Sequence, residues 1–128
     1  MQTHRAKMDG MSARPPYKSH PLWNEAIALA RDAYAIAGEV AAREPDEARL
    51  LRRVAVAVPA RLAGALEADR LEARAVETFE ARAALEEVAA VAERVPTRGG
   101  SGRALARRAR ALEGSVRRSF GLSGGRVC

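Results

Sequence analysis

Cysteine is nearly absent from this 128-residue chain, the single one being the last residue, Cys128. No intramolecular disulfide can form, and one cysteine cannot build a cysteine-rich zinc site, so the chain reads as suited to a reducing cytoplasm. Histidine is almost as scarce. His4 and His20 lie among polar and proline-rich neighbours, a setting for surface or capping roles without metal-ligand spacing. No histidine follows His20, which removes the Glu-x-x-His pairs of a bundle di-metal centre and any histidine partner for a serine or cysteine nucleophile. The acids Glu72, Glu77, Glu80, Glu86, Glu87 and Glu93 then read as solvated helix faces, and the expectation is a non-enzyme with no cofactor and no metal. The chain also lacks any run of eighteen apolar residues and any signal-like apolar stretch near its start, so neither a membrane span nor a membrane partner is expected.

Aromatic side chains are few as well: one Trp, two Tyr and two Phe, against 29 alanines in a composition that is 48% hydrophobic. Alanine favours helix but contributes little burial, so the composition points to closely packed helices around a thin core, with a partner subunit supplying further burial. The length suits one domain.

Four helical segments follow from the apolar spacing. Ser19-His20-Pro21 opens the first, with a polar cap before a proline at the first helical position. It runs to about Glu44, and Leu22, Trp23, Ala26, Ile27, Ala30, Ala33, Tyr34, Ala37, Val40 and Ala41 mark its inward face. Pro45 and Asp46 punctuate the chain and recap it.

The second segment, residues 46–68, carries a core stripe of Leu51, Val54, Ala55, Val58, Leu62 and Leu66. Its opposite side, Val56, Ala57, Ala60, Ala63 and Gly64, is also apolar, and Arg61 is the only charge in residues 54–66. A helix apolar all round is normally covered all round, so these five residues are expected at an oligomer interface. Pro59 inside the run predicts a kink.

Asp69-Arg70-Leu71-Glu72 resembles a capping box and opens the third segment, with Val76, Phe79, Ala83, Leu85, Val88, Val91, Ala92 and Val95 assigned to the apolar side. Pro96 ends it. The Gly-rich stretch at 97–102 lacks the Lys-Ser/Thr of a phosphate-binding loop and reads as a flexible connection. In the fourth segment, residues 103–120, Leu105, Ala109, Leu112, Val116 and Phe120 form one stripe. At roughly 100° per residue, Arg103, Arg107, Arg110, Arg117 and Arg118 fall opposite it, with Arg108 at the flank. Short connections between four helices predict an all-α, antiparallel up-down bundle over residues 21–120, with a flexible basic leader (1–20) and a flexible tail (121–128).

Charge is unevenly distributed. Residues 1–20 carry a net +3, residues 21–95 a net −4 and residues 96–128 a net +7, which together give +6. A basic end on a mildly acidic body implies a polyanionic partner such as RNA, DNA or an acidic protein; the alternative is a solvated tail.

The pairing of Leu22-Trp23 with Leu51-Arg52-Arg53-Val54-Ala55-Val56-Ala57-Val58-Pro59, together with Ala81-Arg82-Ala83-Ala84-Leu85-Glu86-Glu87-Val88, resembles the four-helix bundle family encoded in intervening sequences of bacterial large-subunit ribosomal RNA genes. The similarity extends over residues 22–120 and is most specific at Leu-Arg-Arg-Val-Ala-x-x-Val-Pro. After the proline the family has Ser-Asn and then Ile-Ala-Glu-Gly, where this chain has Ala60-Arg61-Leu62-Ala63-Gly64-Ala65. That family is similar in turn to the accessory variability proteins of diversity-generating retroelements. The resemblance therefore implies a homo-pentameric, non-enzymatic scaffold that binds nucleic acid and a reverse transcriptase.

The residues thus lead to a homo-oligomeric nucleic-acid-binding or accessory scaffold. Arg103, Arg107, Arg108, Arg110, Arg117 and Arg118, joined by Arg52 and Arg53, form its binding surface. Arg52 and Arg53 have a second reading as surface partners of acids such as Glu47 or Glu87. Base stacking is not expected, because Trp23, Tyr34 and Phe79 fall at core-like positions. The alternative function is a protein-interaction adaptor that binds a different protein through the apolar face of helix two.

Overall fold

The computed structural model describes residues 16–120 of the chain. The expectations for residues 1–15 and for the tail at 121–128 lie outside that range. Among the described residues there are four α-helices and no strand: α1 (Pro21–Val40), α2 (Pro45–Glu67), α3 (Leu71–Arg94) and α4 (Ser101–Ser119). They form a four-helix bundle in which α2 packs on α1 and α3, and α4 packs on α3 and, less extensively, on α1.

Each start has a local cause. A 3₁₀ turn at Tyr17–Ser19 leads into α1, where His20 Nδ1 accepts a hydrogen bond from the Leu22 amide and Pro21 occupies the first turn. This satisfies one of the amides that a helix start leaves without an internal partner. Pro45 opens α2 in the same way, with Glu44 in the cap position. The helix runs through Pro59 without ending. At α3 the cap residue is Arg70 rather than Asp69, and Glu72 pairs with the Arg70 guanidinium at 3.8 Å.

The connection before α4 is shorter and more ordered than the glycine count suggests. Arg98–Gly100 make one 3₁₀ turn, with Gly99 at φ +66° and Gly100 at φ +74°. These are left-handed values that a residue with a Cβ rarely adopts. The helix then starts at Ser101, two residues earlier than the arginine pattern predicts, because Gly102 is itself buried against α3.

The core is built from few large side chains. Leu29, Leu51, Leu62, Leu85 and Leu105 are fully buried with Val40, Val58, Val88, Val91 and Val116, and alanines such as Ala26, Ala33, Ala55, Ala81, Ala89 and Ala109 fill the closest approaches. Four residues assigned inward by their spacing point to solvent instead: Tyr34 is 47% exposed, Val76 59% and Phe79 66%, and Ala83 is exposed as well. On α3, Phe79 lies nine residues before the buried Val88, two and a half helical turns away, and so on the opposite face. Alanines on both faces of α3 hide that reversal.

Candidate nucleic-acid interface

Helix α4 owes its orientation to one stripe. Leu105, Ala106, Ala109, Leu112 and Val116 are buried, which turns Arg103, Arg107, Arg110, Arg117 and Arg118 outward. Three ion pairs clamp the helix to its neighbours. Arg82 Nε on α3 meets Glu113 Oε2 at 2.6 Å, and Glu113 is only 13% exposed. Arg108 pairs with Asp32 on α1, and Arg110 holds Glu93 on α3 through two bonds of 2.6 and 3.3 Å.

Those pairs divide the expected binding set. Arg108 and Arg110 are engaged within the bundle, Arg108 lying between two clefts along the α1–α4 seam. The larger, about 350 Å³, is lined by Asp32, Ile36, Glu39, Ser101, Leu105 and Arg108. Arg103, Arg107, Arg117 and Arg118 form no ion pair among the described residues and are exposed. Arg52 and Arg53 do not join them, because α2 packs against α1 and α3 rather than along α4. Nor do they pair with Glu47, whose Oε1 is taken by Arg94 at 2.9 Å. The Arg52 guanidinium lies 5.9 Å from the Tyr34 ring centre, a cation–π contact, and Arg53 is exposed without an ion pair among the described residues.

Within the free set, two arginines converge. Gly114 sits in the middle of the basic face, and a Cβ built there would lie 3.2 Å from Arg118 Nη1 and 3.6 Å from Arg117 Nη2. Both guanidinium groups therefore close over the same patch of bare backbone, with Arg118 Nη2 donating to Ser115 Oγ at 3.3 Å. The helix dipole accounts for part of this, since cations are favoured at a C-terminus. It does not account for Arg103, which stands in the first turn, where the dipole opposes a cation.

The Arg110–Glu93 pair carries a pH signature. The hydrogen bond from Arg110 holds the Glu93 carboxyl below the usual carboxylate range. A lowered folded-state pKa contributes stability above the unfolded value and loses it as pH falls through the folded one. The stability difference between wild type and Glu93→Gln is therefore present near neutral pH and fades under acid, which chemical denaturation at several pH values measures. The effect is small, because the pair faces solvent.

The Val56 and Ala60 side of α2 is exposed as expected, while Ala57, Ala63 and Gly64 are half-buried, and the Glu77 side chain of α3 covers Gly64. A second exposed apolar surface lies on α3. Val76 and Phe79, three residues apart, share its outward side, and Leu71, 77% exposed, stands apart from them in the first turn. Helical spacing already carried this signal, since Val76 and Phe79 lie opposite Leu85 and Val88.

Among the described residues no group of histidine, cysteine, aspartate and glutamate is placed to hold a metal ion, and no helix is long and apolar enough to cross a membrane. Comparison of the chain with protein-family models, curated proteins and solved structures finds no match.

Proposed function

We propose that the protein is a non-enzymatic, homo-oligomeric scaffold of antiparallel four-helix bundles that binds nucleic-acid phosphates through the outer face of α4. The observation carrying this reading is the convergence of Arg117 and Arg118 over Gly114, neither of them in an ion pair among the described residues, on a face continued by Arg107 and Arg103. Like charges drawn together are costly, and a phosphate relieves that cost by accepting hydrogen bonds from both guanidinium groups.

The face has no built-in means of reading sequence. Tyr34 and Phe79 are exposed, but on α1 and α3, so α4 offers arginines without interleaved aromatic rings. Binding is therefore electrostatic, tolerant of sequence and strongly salt-dependent. In the setting that the resemblance implies, the ligand is RNA or DNA, and a reverse transcriptase is the protein partner.

Replacing Arg103, Arg107 and Arg117 together by glutamine tests the reading. These arginines are free of ion pairs, so the fold and the assembly mass are retained. Removing three phosphate contacts lowers the slope of log K against log salt by about 3 on duplex RNA, with affinity at moderate salt falling ~10-fold or more. Fluorescence anisotropy at several salt concentrations measures both. Unchanged affinity and slope in a folded triple variant would remove the proposal.

A further inference from the structure

We infer that copies of this chain associate head to tail, the exposed ridge of Val76 and Phe79 on α3 of one copy seating on the Val56–Ala60 face of α2 of the next. The inference rests on the self-assembly part of the proposed function and names the contact that produces it. Contiguous exposed apolar surface on a small bundle marks an interaction site. Here there are two such surfaces, on different helices of the same molecule.

Their shapes and charges select each other. The α3 ridge consists of bulky side chains, whereas the α2 face consists of Val56 and Ala60, bordered by Ala63, with little side chain standing above the backbone. A bulky ridge packs best into a trough of small residues. Exposed Glu72, Glu80 and Glu87 accompany the ridge, and Glu80 and Glu87 have no ion pair among the described residues. Arg49, Arg52 and Arg53 accompany the trough, and Arg53 likewise has no ion pair among the described residues. An α3-to-α3 pairing would set acids against acids and ridge against ridge. Pairing α3 with α2 sets acids against arginines and ridge against trough.

Because the two surfaces differ, the contact is heterologous. Each copy uses its ridge once and its trough once, which yields a closed ring or an open filament.

A mixing experiment separates this arrangement from others. Phe79→Asp disables the ridge and Ala60→Asp disables the trough. Both positions are exposed, so each variant keeps the wild-type circular dichroism spectrum. Light scattering in salt high enough to strip nucleic acid is expected to give a multimer for wild type and a monomer for each variant alone. A one-to-one mixture gives a heterodimer and nothing larger, since only one intact ridge and one intact trough remain to meet. Arg53→Glu, a charge change at the trough edge, weakens wild-type assembly in the same assay.

A Phe79→Asp protein that keeps the wild-type mass overturns the inference, as does a wild type that is monomeric throughout. A dimer of Ala60→Asp alone also overturns it, by revealing ridge-to-ridge pairing. RNA affinity measured on the same samples keeps the two ideas apart. A multimer that ignores RNA removes the α4 reading and leaves the contact standing, and a monomer that binds RNA does the reverse.

Discussion

Leu85→Ala is expected to lower the unfolding free energy by about 2–5 kcal/mol, the range for truncating a fully buried leucine. Leu85 is completely buried in α3, in a core where leucine is otherwise represented at full burial by Leu29, Leu51, Leu62 and Leu105. Most other buried positions are alanine or valine, so these few side chains hold a large share of the apolar volume. The surrounding alanines also limit recovery. Helices already at close approach cannot move further inward to fill a void, so the cavity term is retained in full rather than relaxed away. A domain of this size has a total stability of about 5–15 kcal/mol, so the loss consumes a large fraction. Urea denaturation followed by circular dichroism, at fixed protein concentration, measures it. A loss below about 1 kcal/mol would mean that Leu85 is not the packed centre described here.

Gly102→Ala is the second large effect, and its sign opposes helix propensity. In an open helical site the exchange stabilises by about 1 kcal/mol. At Gly102 the new Cβ would lie 2.5 Å from the Ala92 carbonyl oxygen and 3.2 Å from Thr97 Oγ1. The first of these atoms is backbone near the end of α3, and it can yield only if the two helices separate at that end. Overpacking of this kind costs about 1–3 kcal/mol. It also disturbs the bond from the Gly102 amide to Thr97 Oγ1, 2.9 Å long, which fixes the turn into α4. Gly38, with nothing within 4 Å of a built Cβ and in the last turn of α1, supplies the contrast. Gly38→Ala is expected to raise the melting temperature where Gly102→Ala lowers it, and two melts side by side decide the matter.

The four helices were legible in the sequence because proline and glycine punctuate it and leucines and valines recur at helical spacing. Side-chain direction was less legible. In α3 the alanines at 75, 83 and 90 are exposed while those at 81, 84, 89 and 92 are buried, so an apolar residue there does not mark the inward face. That ambiguity placed Val76 and Phe79 in the core and hid the ridge they form. The basic face of α4 emerged correctly as a direction, since a helical wheel locates arginines relative to Leu105 and Leu112. Which arginines remain free did not emerge. Arg108 meets Asp32 from a helix 76 residues away in sequence, and Arg110 meets Glu93 across the α3–α4 turn. Such pairings depend on tertiary arrangement, which spacing within one helix does not encode.

The tryptophan near the start of α1 has a consequence of another kind. Trp23 is the chain's only one. Its indole Nε1 donates to the Pro59 carbonyl at 3.2 Å, and the Tyr17 ring stands edge-on to it at 5.3 Å. Its emission therefore watches a single seam, where the first helix lies against the second. Wavelength and intensity will follow that helix as it detaches during unfolding. The molecule thus carries its own optical gauge of folding at that seam, readable from an unlabelled sample.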